Sequence, residues 1–92
     1  MPRNKSKKTL IPRFYLGKYR LDAGLSQNKF AEKLDMNASK YNELENGKRG
    51  AYMDIRLIIK MVEVLNVDLV EFAYKEKDYR DLVDKANGID RG

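Results

Sequence analysis

Apolar residues along this chain recur at helical intervals, and the alternation of a strand is hard to find. Phe14, Leu16, Tyr19 and Leu21 carry a first helix towards Asp22, with Pro12 suited to its first turn and Ala23 and Gly24 as its stop. After Gly24 one device repeats: a short polar residue able to cap a helix follows one apolar residue and precedes another four positions on. Ser26 sits between Leu25 and Phe30, Asn37 between Met36 and Tyr41, Asp54 between Met53 and Ile58, and Asp68 between Val67 and Phe72. Each has the layout of a hydrophobic staple around an N-cap, and Asp68 with Glu71 resembles an acidic capping box. Caps spaced by 11, 17 and 14 residues predict four more short helices joined by tight turns.

Beyond Ala73, Tyr79, Leu82, Val83 and Ala86 again recur at helical spacing, and Asn87 with Gly88 makes a stop. This predicts a sixth helix or a long extension of the fifth. Such a helix exposes an apolar stripe unless something covers it, so it either packs back on the domain or pairs with a second copy. The second copy is the favoured outcome, and a frayed tail is the bland alternative.

Composition narrows the function. A chain of 92 residues has material for one small core. With no Cys and no His it lacks the means for a disulfide, a thiolate nucleophile, an imidazole base or a zinc site of the usual ligands. No metal site or cofactor is expected, and no enzyme. No apolar run approaches a membrane span or a secretion signal, which points to a cytoplasmic protein with no membrane partner. The net charge of +5 is carried by residues 1–13, where Arg3, Lys5, Lys7, Lys8 and Arg13 meet no acid; the rest of the chain balances. The first 13 residues therefore read as a flexible basic arm, residues 14–73 as the folded domain and residues 74–92 as a C-terminal helical extension or tail.

The second and third capped helices lie unusually close. Helices over 27–34 and 38–45 are separated only by Asp35, Met36 and Asn37, the length of a helix-turn-helix connection. On spacing alone, DNA binding and an ordinary helical pair stay equally open. The residues themselves say more: GLSQNKFAEKLDMNASKYNELENGKR, residues 24–49, resembles the helix-turn-helix of the Cro and phage-repressor (XRE-type) family. Gly24 to Gln27, Phe30, Ala31, Met36, Tyr41 and Leu44 to Lys48 match its pattern, and with flanking apolar positions the likeness covers about residues 14–73. It implies an all-α, five-helix repressor-like bundle. Asp35 departs from it by standing where the family usually has Gly. The stretch from Gly47 to Ile55 is about two residues longer than usual and lacks the customary Pro, and nothing past Ala73 has a counterpart.

Independently of any family, about 100° per residue puts Tyr41, Leu44 and Glu45 on one side of the 38–45 helix. Ser39, Asn42, Glu43 and Asn46 fall on the other, with Ala38 and Lys40 at the flanks. The second helix of such a motif enters the major groove N-terminal end first, in the docking that the family exemplifies. Ala38, Ser39, Asn42 and Glu43 are thus the candidate base-reading set: Asn42 suits adenine, Ala38 a thymine methyl and Glu43 a cytosine amino group. Gln27, the amides near it and at Asn37, and the cations Lys40, Lys48 and Arg49 are candidates for phosphate contacts, with the arm along the backbone or in a minor groove. The resemblance also implies a partly buried, structural ion pair between Arg20 and Glu45.

The expectation is a sequence-specific transcriptional regulator of double-stranded DNA, a repressor of a phage, plasmid or mobile element acting as a homodimer. An antitoxin that holds a toxin through its C-terminal segment, or an interaction module that has lost DNA binding, are the alternatives.

Overall fold

The computed structural model describes residues 10–48 and 50–88. They form five α-helices and no strand: α1 Phe14–Asp22, α2 Gln27–Lys33, α3 Ala38–Glu45, α4 Ile55–Leu65 and α5 Leu69–Ala86. All four predicted caps are made. Ser26 Oγ accepts from the Lys29 amide at 3.0 Å, Asn37 Oδ1 from Ser39 and Lys40, Asp54 Oδ1 from Leu57 and Asp68 Oδ2 from Glu71. Each such cap contributes about 1 kcal/mol by satisfying an amide that the first turn leaves without a partner. The apolar residue before each cap, Leu25, Met36, Met53 or Val67, packs on the core. At Asp68 the box is not closed as expected from Glu71, whose carboxylate accepts from the Tyr19 hydroxyl at 2.6 Å.

α1 starts later than Pro12 predicts. Arg13 is its N-cap, with a non-helical ψ of 77° and no side-chain cap, and its amide donates to the Glu45 carbonyl at 2.7 Å.

Helices end on a recurring device. The amide two residues beyond the C-cap reaches back to the third-last helical carbonyl: Leu25 to Arg20, Met36 to Ala31 and Lys48 to Glu43. The residue between must adopt positive φ, and it is Gly24 at 75° and Gly47 at 74° but Asp35 at 58° between α2 and α3. The motif thus tolerates Asp35 in place of glycine, at some strain.

The core is Leu16, Phe30, Ala31, Leu34, Tyr41, Leu44, Met61, Leu65 and Phe72. Phe30 and Tyr41 meet edge to face, with ring centroids 5.2 Å apart, where α2 crosses α3. On the opposite side Tyr15 and Tyr19 of α1 cover Phe72 of α5. The residues past Ala73 do not form a separate sixth helix, because α5 runs unbroken to Ala86. Its second half packs back on the domain through the buried Glu76 and Tyr79, while Leu82 stays exposed.

Candidate nucleic-acid interface

With Tyr41 and Leu44 buried in the core, α3 turns its other side outward. Ala38, Ser39, Lys40 and Asn42 are exposed and Glu43 is half-buried. Ala38, Ser39, Asn42 and Glu43 share an open groove with Gln27 and Asn28 of α2, Asn46 and Lys48 after α3, and Leu10, while Lys40 lies outside it. The face assignment made from residue spacing therefore matches the structure. The lining is uncharged or paired: Lys48 Nζ lies 3.4 Å from the Glu43 carboxylate, so the candidate cytosine acceptor and a candidate phosphate cation neutralise each other in the free chain.

Behind the groove, Arg20 and Glu45 form a two-pronged pair, Nε to Oε1 at 2.9 Å and Nη2 to Oε2 at 3.0 Å, with side chains only 11% and 12% exposed. Arg20 Nη1 also donates to the Leu25 carbonyl at 2.8 Å, so the guanidinium ties α1 to α3 and to the start of α2. Tyr41 donates its hydroxyl to Glu45 as well. Burial by itself would raise the Glu45 carboxyl, but hydrogen bonds from Arg20, Tyr41 and Gln27 outweigh it and hold the group below the usual carboxylate range.

The pair continues outward. Gln27 Nε2 donates to Glu45 Oε2 at 3.2 Å, Asn42 Nδ2 donates to Gln27 Oε1 at 2.9 Å, and Asn46 Nδ2 donates to Asn42 Oδ1 at 3.0 Å. A carboxamide has two N–H bonds and two lone pairs, so Asn42 keeps one donor and one acceptor for a base edge while its orientation is set by protein partners. Gln27 spends its side chain on this relay. The Asn37 side chain, likewise, is spent on the amides of Ser39 and Lys40.

Arg13 is a correction. Counted with the basic arm, it is instead 0% exposed. Its Nε and Nη2 each reach the Glu76 carboxylate at 2.9 Å, Nη1 donates to the Leu44 carbonyl at 2.7 Å, Nη2 reaches the Ala51 carbonyl at 3.3 Å, and the group lies over the Tyr79 ring. Burial alone would lower its pKa, yet the hydrogen bond and charge of Glu76 raise it, so the cation persists. The apolar run Leu10, Ile11, Pro12 was the signal that sets Arg13 apart from the other cations. The contacts of Glu76 and Tyr79 were missed, because nothing local marks partners 63 and 68 residues away. Arg3, Lys5, Lys7, Lys8 and Arg49 lie outside the described residues.

Among the described residues no helix is long and apolar enough to cross a membrane, and no group of His, Cys, Asp and Glu is placed to hold a metal ion. No curated protein matches the chain. A sequence model of the helix-turn-helix family does, over residues 16–72, which begin two residues into α1 and end at the core residue Phe72 of α5. With that match over well more than half of the chain, and α2 and α3 set as the motif requires, the chain belongs to the XRE-type, Cro/C1 helix-turn-helix family of DNA-binding transcriptional regulators.

Proposed function

We propose that the protein is a repressor of the phage, plasmid or mobile-element kind that occupies its operator as a homodimer, with α3 of each copy in a major groove. The observation that carries this reading is the outward face of α3, small and polar, with Asn42 held in position through Gln27 by the buried Arg20–Glu45 pair. Ala38, Ser39, Asn42 and Glu43 read base edges; Lys40, Lys48 and Arg49, with the first-turn backbone amide of Gln27, meet phosphates; Arg3, Lys5, Lys7 and Lys8 add affinity without sequence preference. Entry of Glu43 into the groove requires it to leave Lys48 for a cytosine while Lys48 turns to a phosphate.

Pairs of exposed apolar residues one turn apart, Ile55 with Ile59 on α4 and Val70 with Tyr74 on α5, support the dimer, since a monomer gains nothing by leaving them in water. An antitoxin would instead hold its toxin through the C-terminal segment, where Leu82 is exposed, and a toxin-like reading frame beside the gene separates that reading. Selection from a pool of random duplexes tests the function. A two-fold symmetric consensus with half-sites about 34 Å apart supports it. Enrichment of nothing above non-specific binding rejects it in favour of an interaction module.

A further inference from the structure

The second half of α5 lies beyond the family-matching residues, yet it grips the end of the helix that faces DNA. We propose that this segment sets the strength of DNA binding, with Glu76 and Tyr79 as positioning residues that act through the chain at residues 11–13 on the C-terminus of α3 and the loop after it.

The last carbonyls of a helix lack partners within it and carry partial negative charge. In α3, the carbonyl of Leu44 accepts from Arg13 Nη1 at 2.7 Å and that of Glu45 from the Arg13 amide at 2.7 Å. A buried guanidinium stays there only if its charge is met, and Glu76 meets it with both oxygens. Tyr79 fixes the same segment from the other side, donating its hydroxyl to the Ile11 carbonyl at 2.7 Å. That carbonyl lies so close to Gly47 that a Cβ there would run into it.

The loop that leaves α3 is held by Arg13, itself held by Glu76, and directly by α5 through Arg80. Arg13 Nη2 reaches the Ala51 carbonyl at 3.3 Å, and the Arg80 guanidinium sits 4.4 Å from the centre of the Tyr52 ring. This loop carries Lys48, and it is the stretch that is longer than the family's usual one. An extended loop with cations on it binds phosphate well only if its path is set beforehand, because ordering it on binding would subtract from affinity. α5 supplies that order before DNA arrives.

The inference rests on the reading of α3 and its loop as the DNA-contacting surface. Its test is the binding of the full chain and of two variants, Glu76→Gln and Tyr79→Phe, to a 20-base-pair duplex of random sequence across a salt series, with circular dichroism confirming the fold at the assay temperature. Removing an acid makes the chain more positive, so charge alone predicts tighter binding for Glu76→Gln. Positioning predicts the reverse: binding about fivefold weaker and a salt slope shallower by about 0.9, one phosphate contact. A purely structural role lowers the folded fraction and so scales binding without changing that slope. Tyr79→Phe alters no charge and is expected to bind about two- to tenfold more weakly, the fold-change that one neutral hydrogen bond converts to. If Glu76→Gln does not fold, Tyr79→Phe decides alone. Wild-type binding with both variants equal to it overturns this inference and leaves the function standing; a wild-type chain that binds no duplex overturns both.

Discussion

Asn42 Nδ2 donates to Gln27 Oε1 at 2.9 Å, and Gln27 in turn donates to Glu45, so an exposed side chain on the outer face of α3 is oriented by a carboxylate on its inner face. The relay runs across the helix rather than along it. A base-reading group that is already oriented forfeits less conformational entropy on binding, which is why its loss is expected to register in recognition more than in folding.

Replacing Asn42 with Ala is accordingly expected to change the melting temperature little and to cost roughly 1 to 3 kcal/mol on the selected operator, relaxing one base pair per half-site. Lys48→Ala is expected to weaken operator and random duplex by the same factor. Fluorescence anisotropy on both duplexes checks the pair; equal losses for the two variants on both DNAs would remove Asn42 from the base-reading set.

Residues 1–8 carry Arg3, Lys5, Lys7 and Lys8. If these neutralise phosphates, log K falls with log salt by about 0.9 for each, and deleting the segment flattens the slope while weakening binding on every sequence. An unchanged slope would show the arm to be clear of the backbone.

Glu45→Gln keeps the shape of the side chain and removes the countercharge of Arg20, which is 11% exposed at the side chain. A loss of roughly 2 to 4 kcal/mol in urea unfolding is expected, well above the ~1 kcal/mol or less of a surface pair. The pH dependence has a definite sign. Because the folded pKa of Glu45 is depressed, its stabilisation is complete above the unfolded carboxyl value of about 4.3 and is lost as pH falls through the lower folded value. The variant should therefore show a flatter stability curve than the wild type below about pH 4.

Gly24 and Gly47 have nearly the same φ, 75° and 74°, but a Cβ at Gly24 would meet nothing within 4 Å whereas at Gly47 it would strike the Ile11 carbonyl. Gly24→Ala should cost about 1 kcal/mol, the conformational term alone, and Gly47→Ala at least twice as much. Thermal unfolding of the two side by side isolates the close approach; equal losses would mean that the segment at Ile11 yields readily.

Asp35 at φ 58° sits where the helix-ending motif prefers glycine. Asp35→Gly is expected to raise stability by up to about 1 kcal/mol, relief of strain being partly offset by a more flexible unfolded chain, and the β-branched Asp35→Val to lower it. A destabilised Asp35→Gly would show that the aspartate makes a compensating contact.

The helices and their starts were legible in the residue order because caps and staples are local: Ser26, Asn37, Asp54 and Asp68 each bond an amide two or three residues away. The faces of α3 were legible for the same reason, since helical periodicity alone separates Tyr41 and Leu44 from Ser39 and Asn42. The likeness, over about residues 14–73, extended this to Arg20 and Glu45. What only the tertiary structure decided is where long side chains and the second half of α5 go. Arg13 follows a stretch of cations without an acid and reads as the last of them, but whether a guanidinium meets solvent or a carboxylate 63 residues away depends on how α5 lies against residues 11–13, and no local rule contains that. Burial reversed its role: a charge taken from water must be matched where it lands, and the match came from Glu76, in a segment whose periodicity showed only that it would be helical.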